Sequence, residues 1–335
     1  MTKKFLLLLL LTLITFCLKA QKIVLLQEGK QSSIRGMSVV NDQVAWISGS
    51  NGYTALTING GKTWAWQQVK GFEKADFRSI EAFSDKEAII MASGTPALIL
   101  KTTDGGKNWQ VKYRNTDTAY FLDAMDFANP DHGLILGDPI KNKFVLLETK
   151  DAGETWHMFS DCPKALNGEA AFAASGTCLR FVNSTIQIVT GGSISRQLKY
   201  RTNNGWTYDI TLIKHGKSSQ GAFSIDRDGF VIVGGDYQND HSADSVAEYY
   251  FYNGAYASGG IVLATKPPAG YQSCVEQISE NIYLSTGTPG SNLTTDGGKT
   301  WTKIDDTSFN VCRTAKTGKL VLLAGNNGRI AVFKP

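Results

Sequence analysis

Short apolar runs recur along the chain at even spacing, and each ends in glycine. They are Ala45-Trp-Ile-Ser-Gly49, Ile89-Ile-Met-Ala-Ser-Gly94, Leu134-Ile-Leu-Gly137, Ile188-Val-Thr-Gly191, Val231-Ile-Val-Gly-Gly235, Tyr283-Leu-Ser-Thr-Gly287 and Val321-Leu-Leu-Ala-Gly325. Runs of this length between turn residues read as strands. Seven of them divide the chain into units of the length that suits a propeller blade. Each unit reads as four strands, a to d. In the second, a covers 77–83, b 88–92, c Ala97–Thr102 and d 109–113. The seventh has a at 310–315, b at 320–324 and c at 330–333, and its d strand is expected from 23–27, ahead of the first unit. The N-terminus then zips the ring shut and removes an open sheet edge. The expected fold is all-β, a seven-bladed β-propeller of four-stranded antiparallel blades over 21–335, its last blade closed by the N-terminal strand.

A second pattern sets the register. Thr57-Ile-Asn-Gly-Gly-Lys-Thr-Trp64 returns as Thr102-Thr-Asp-Gly-Gly-Lys-Asn-Trp109, Thr149-Lys-Asp-Ala-Gly-Glu-Thr-Trp156 and Thr294-Thr-Asp-Gly-Gly-Lys-Thr-Trp301, with a shortened copy at Thr202-Asn-Asn-Gly-Trp206. The tryptophan gaps are 45, 47, 50 and 95. The doubled last gap places a degenerate copy near 250–256. The Gly-Gly and Asn/Asp positions suit a tight c–d turn, in which Asn59, Asp104, Asp151 and Asp296 accept backbone N–H groups. The tryptophan then opens strand d and is expected to pack on its own blade or the next. Burying it removes 150–250 Å² from water, at most roughly 4–6 kcal/mol. These carboxylates recur once per blade, whereas an active site occurs once, so their expected role is structural.

Composition narrows the class. With 42% hydrophobic and 19% charged residues the chain is not disordered. Residues 1–20 read as a secretory signal: Lys3 and Lys4, an apolar stretch at 5–18, and a cleavage site ending at Ala20. The stretch is short of the ~20 residues of a membrane span. A lipoprotein reading through Cys17 is weaker, because bulky Phe16 precedes it. Without Lys3, Lys4 and Lys19, 31 basic residues stand against 30 acidic ones. That balance leaves no basic stripe for nucleic acid. The expectation is an exported protein, periplasmic or extracellular, monomeric and without a membrane span after cleavage.

The repeat is the Asp-box, or bacterial neuraminidase repeat, of sialidase-like propellers, with Asn59 the one replacement of its Asp. The wider layout resembles the photosystem II stability/assembly factor family and its bacterial relatives. The resembling stretches are Ser33-Ile-Arg-Gly-Met-Ser-Val, Asp76-Phe-Arg-Ser-Ile-Glu-Ala-Phe, Gly137-Asp-Pro, Gly168-Glu-Ala-Ala-Phe-Ala-Ala-Ser-Gly-Thr and Gly234-Gly-Asp-Tyr. The resemblance implies a seven-bladed propeller and, in the photosynthetic members, a scaffolding or assembly role.

Sialidase chemistry needs an arginine triad, a Tyr nucleophile polarised by Glu, and an Asp acid/base. The family's early Arg motif is Phe/Tyr-Arg-Ile-Pro, and Ser33-Ile34-Arg35-Gly36 lacks both flanks. Arg35, Arg78, Arg180 and Arg313 are the candidate arginines. Gly61-Lys62-Thr63 and Gly298-Lys299-Thr300 lack the upstream glycine of a P-loop, and there is no G-x-S-x-G elbow. His132, His157, His215 and His241 are isolated. Asp226-Arg-Asp228-Gly229 is too short for a calcium loop and reads as an a–b turn. No cofactor or metal is expected.

Among Cys162, Cys178, Cys274 and Cys312, three pairings are conceivable, and the absence of CxxC spacing speaks against zinc. Thirteen residues before the landmark glycines stand Gly36, Glu81, Ala124, Cys178, Ala222, Cys274 and Cys312. Six are small, as crowding of inner strands requires. Cysteine there serves as a small buried residue, and a Cys274–Cys312 bridge between neighbouring blades is open.

Strand direction puts the b–c and d–a loops at one end and the Asp-boxes at the other. The first end is the expected binding face, since loops on a rigid scaffold form binding sites. Its candidate residues are Arg35, Asp76, Arg78, Asp123, Asp138, Glu169, Ser175 and Asp236, with Arg35 and Arg78 on an anionic group and Asp138 and Asp236 as acceptors. A solvated rim of internal ion pairs is the competing reading. In the fifth unit, 236–256 is either a partner-contact insertion or a plain long loop. The favoured function is a non-enzymatic binding or assembly scaffold with a protein or glycan partner. The alternative is a sialidase-like carbohydrate-active enzyme, which needs an Arg/Tyr/Glu/Asp set at the b–c face.

Overall fold

The computed structural model describes residues 21–253 and 258–335. The expected signal segment 1–20, with Cys17, lies outside them, as do 254–257 within the expected degenerate repeat. The described chain folds into seven antiparallel sheets. Inner strands of consecutive blades touch all the way round, from Ile34–Val39 of blade 1 to Val311–Thr314 of blade 7 and back. This is a seven-bladed β-propeller. Blade 2 is Asp76–Ala82, Ala88–Ser93, Ala97–Thr102 and Gln110–Asn115. Lys22–Gln27 pairs with Ile330–Lys334, so the N-terminal strand closes blade 7 as the outermost strand. No helix among the described residues is long and apolar enough to cross a membrane.

Blade 5 departs from the four-stranded pattern. Its sheet of Lys217–Ile225, Val231–Asp236, Ala247–Asn253 and Ser258–Leu263 gains two short strands on its inner edge, Gly191–Gly192 and Glu169–Ala170. The landmark Gly191 therefore leaves its own blade and pairs with Gly221 of the next. Two glycines meeting there let the backbones approach: a Cβ on Gly191 would lie 2.6 Å from Gly221 Cα.

The small-residue register needs correction in two blades. A β-bulge interrupts strand a between Ile34 and Gly36, Phe77 and Ser79, Leu122 and Ala124, and Ala222 and Ser224. The residues after the bulge are thus Gly36, Ser79, Ala124 and Ser224. Ser79 and Ser224 take the places expected for Glu81 and Ala222: the residue before the bulge pairs with the landmark glycine itself in blades 1 and 3, but with Ala92 in blade 2 and Gly234 in blade 5, ahead of Gly94 and Gly235. The crowding is real: a Cβ on Gly36 would stand 3.0 Å from the Ile80 backbone nitrogen of blade 2. Ser224 bridges its two neighbouring blades, accepting from Thr177 Oγ1 (2.7 Å) and Val275 N (2.9 Å). Cys178, Cys274 and Cys312 are buried at such contacts. All four described cysteines are free, so the Cys274–Cys312 bridge does not form; Cys274 Sγ instead accepts from Cys312 N at 3.4 Å.

The Asp-box tryptophans pack on their own blade, as one of the two expectations had it, and on the preceding blade rather than the next. Trp109 of blade 2 meets Trp46 of blade 1 edge-on at 6.2 Å. Trp156 of blade 3 shares a core with Ile89 and Met91 of blade 2, and Trp301 of blade 6 with Val231 and Val233 of blade 5. In blade 3, Thr149 Oγ1 donates to Asp151 Oδ1 (2.8 Å) and accepts from Gly153 N (2.9 Å), while Thr155 N donates to the same Oδ1 (2.9 Å). Trp156 Nε1 closes the turn on Gly153 O at 3.2 Å. These donors, led by the Thr155 hydroxyl and amide, hold the Asp151 carboxyl down to about 2.

Candidate binding mouth

A β-bulge turns one side chain out of the strand's alternation. The four bulged residues are Arg35, Arg78, Asp123 and Phe223, and all four line one cavity of about 580 Å³ on the b–c side of the ring. Strand and bulge together deliver one side chain from each of blades 1, 2, 3 and 5 to a common mouth. Asp138 joins them from strand b of blade 3, Gly133–Ile140, where the pairing with strand c shifts between Gly137 and Pro139. The segment 170–176 crosses the axis and forms the floor. Arg35 Nη1 donates to Ala174 O (3.3 Å) and Arg78 Nη1 to Ala173 O (3.4 Å). Arg313 Nη2 donates to Ser175 O from below (2.8 Å).

The two walls differ. Phe172 stacks on Phe223 with centroids 3.8 Å apart, and Tyr271 and Tyr237 meet Phe223 edge-on. Facing them are the two guanidiniums. Arg78 Nε is paired with Asp76 Oδ2 at 2.7 Å. Burial first, then the charge of Arg78, lowers the pKa of Arg35. Asp123 is 1% exposed, and neither carboxyl oxygen has a hydrogen-bond partner among the described residues. Burial, and then Asp138, pushes its pKa well above the carboxylate range. Burial also raises Asp138, although Ala171 N donates to it (3.2 Å). Arg78 is matched by Asp76, whereas Arg35 contacts the backbone carbonyl of Ala174 and can turn its charge to an anionic group.

Of the eight candidate residues, Arg35, Arg78, Asp123 and Asp138 line this cavity, and Asp76 supports Arg78 from beside it. The other three are occupied elsewhere. Glu169 is buried against Arg196, accepting at 2.9 and 2.5 Å, and takes the Thr190 hydroxyl. Ser175 is buried under the floor, donating to Ser273 O at 2.7 Å. Asp236 accepts from Gln220 Nε2 (2.9 Å) and Gln238 N (3.0 Å). Sequence reading missed the aromatic wall of Phe172, Phe223, Tyr237 and Tyr271. The available signal was the placement of Phe172 and Tyr237 inside the quoted stretches 168–177 and 234–237.

The four candidate arginines do not converge. Arg180 is buried below, on Glu276 Oε2 (3.0 Å), and Arg313 reaches Ser175 O and Cys312 O. Tyr271 reaches the mouth, but burial pushes its hydroxyl up, away from what a nucleophile needs. Asp226 accepts from Asp228 N, Phe230 N and Val231 N, which spends it on its own turn. No cluster of three metal-ligating side chains occurs among the described residues.

Comparison with known proteins agrees with this architecture. The family model described as Photosynthesis system II assembly factor YCF48 matches residues 21–118, which hold the closing strand and blades 1 and 2. No curated protein matches the chain. A solved structure titled "YCF48 bound to D1 peptide" is similar with a TM-score of 0.64 at 17% identity, covering 94% of this chain and 96% of that one. YCF48 from Cyanidioschyzon merolae is similar with a TM-score of 0.63 at 16% identity, covering 94% and 99%. The chain is a seven-bladed propeller that resembles the photosystem II assembly factor family, with that family's model matching its closing strand and first two blades.

Proposed function

We propose that this protein is an exported, non-enzymatic propeller that acts as a binding or assembly scaffold, taking an anionic group of a protein partner at the mouth. The observation that carries the reading is the common aim of the bulges. Arg35, Arg78 and Asp123 come from three successive blades and line one cavity opposite a wall of aromatic rings. Such a site offers charge-assisted hydrogen bonds beside apolar contact area, the pairing that fixes a peptide segment. That a similar propeller was solved with a bound peptide supports a protein partner. Export is supported by the signal-like pattern of residues 1–20.

The test is capture from envelope extract with native protein and with the Arg35→Ala/Arg78→Ala double variant, followed by affinity measurement on the purified partner. Two lost charge-assisted hydrogen bonds of about 1.5 kcal/mol each predict a weakening of roughly a hundredfold. An unchanged affinity in the double variant would sink the reading. Turnover of fluorogenic glycosides by the native protein would replace it with the enzymatic one.

A further inference from the structure

Strands b and c of blade 4 are unlike those of blade 3. Thr185-Ile-Gln-Ile-Val189 and Arg196-Gln-Leu-Lys-Tyr-Arg201 alternate polar and apolar. Ile186, Ile188 and Leu198 join Leu134, Leu136, Phe144 and Leu146 in the core between blades 3 and 4. The opposite positions, Thr185, Gln187, Gln197, Lys199 and Arg201, face blade 5. Where blade 3 offers its follower leucine and phenylalanine, blade 4 offers amides and charges. The two blades enclose a cleft of about 510 Å³ there, completed from blade 5 by Phe230, Ile232, Glu248 and Tyr250.

Three features of this cleft point to a ligand. Glu248 is 1% exposed; its Oε2 accepts from Leu212 N at 2.5 Å, while Oε1 has no partner among the described residues. A buried polar atom left unpaired costs stability and calls for a reason. Next, the lining carries charges of both signs. Lys199 Nζ pairs with Asp209 at 2.8 Å, and Arg201 stands with Asp228 and Glu248 in the same lining, so no surplus of cations is left to draw an anionic ligand. Finally, Phe230 and Tyr250 are half exposed, with centroids 6.2 Å apart and rings inclined by 38°. They offer apolar faces beside the polar floor.

We propose that the cleft between blades 4 and 5 binds a neutral sugar unit, a hexose or disaccharide, with Glu248 and the Gln187–Gln197 amide pair on its hydroxyls and Tyr250 and Phe230 against its C–H face. An uncharged polyol matches a lining without surplus positive charge that mixes donors, acceptors and rings. The site is separate from the mouth and does not depend on the function proposed for it.

Saturation-transfer NMR and titration calorimetry on the full chain test this, with glucose, galactose, N-acetylglucosamine, maltose, lactose and cellobiose as probes, beside an immobilised neutral polysaccharide. At least one probe is expected to bind. Glu248→Ala and Tyr250→Ala should each weaken it by about tenfold or more, and Arg35→Ala/Arg78→Ala should leave it unchanged. Preference for the polysaccharide over the free sugar identifies a surface glycan as the source, and the reverse identifies a soluble sugar. If Glu248→Ala fails to fold, Gln187→Leu/Gln197→Leu removes the amide pair and should abolish binding. The proposal is overturned if no probe binds, if binding survives these substitutions, or if it disappears with the mouth arginines.

Discussion

A buried carboxyl declares itself through pH, and Glu248 does so near neutrality. Burial pushes it up to about 7, against the hydrogen bond from Leu212 N and the charge of Lys199. The folded chain therefore keeps a proton that the unfolded chain releases above its ordinary pKa of 4.5. Stability from this group falls as pH rises from about 4.5 to 7 and stays low beyond. Glu248→Gln removes the charge and keeps an acceptor for Leu212 N. It should stabilise the fold by roughly 2 to 3 kcal/mol at pH 8 and by almost nothing at pH 4. Urea unfolding of both proteins at the two pH values measures the difference. An equal effect at both values would mean that Glu248 does not titrate there. Asp226, raised to about 6 by burial, shifts native stability in the same direction, which is why the comparison has to be made against the native protein at each pH.

At the scale of the element, the Asp-box is a turn whose tryptophan fastens one blade to its predecessor. Trp301 is 1% exposed and packs among Val231, Val233 and Tyr283. Trp206, in the shortened copy, is only partly buried, against Tyr200 with its ring nitrogen on Asp161 O. Trp301→Ala should cost about 3–5 kcal/mol, as large aromatic deletions in a core do, and Trp206→Ala clearly less. Denaturant midpoints of the two variants compare them, and equal losses would deny the tryptophan its fastening role. The turns were legible in the sequence because a tight turn demands particular residues at fixed offsets. The blade that the ring lies over was not, since spacing within one repeat says nothing of its neighbour. The same limit explains the candidate site. Arg35, Arg78 and Asp123 could be found because they stand near the starts of inner strands. Glu169 was drawn away by Arg196 and Ser175 by Ser273, partners distant enough in sequence that no local pattern announces them. The alternation in blade 4 was visible in Thr185–Val189 and Arg196–Arg201, but its meaning depends on the face that blade 5 presents.

At the scale of the whole molecule, a second set of contacts ties the ring together below the mouth. Arg180 of blade 4 binds Glu276 of blade 6 at 3.0 Å and approaches Asp126 of blade 3 at 3.9 Å. Arg227 of blade 5 approaches Glu276 at 3.4 Å, and Thr314 of blade 7 donates to it at 2.7 Å. Lys316 of blade 7 reaches Glu81 of blade 2, which also accepts from Ser38 of blade 1 at 3.4 Å. Side chains from all seven blades thus meet around the axis. Glu276 is fully buried, and against that cost Arg180, Arg227 and Arg313 hold its pKa below the ordinary value. Its contribution is therefore present at neutral pH and lost as acid protonates it. A buried pair can be nearly neutral when replaced whole, yet removing one member strands the other in a low-dielectric interior. Glu276→Ala, which leaves Arg180 only the longer contact to Asp126, and Arg180→Ala, which leaves Glu276 and Asp126 without it, should each cost about 3–5 kcal/mol at pH 7. Arg180→Met/Glu276→Leu should cost much less than their sum, because it removes both charges and restores apolar volume. Urea unfolding of the three variants decides the matter. Additive losses, or single losses below about 1 kcal/mol, would show that interblade apolar packing alone closes the ring.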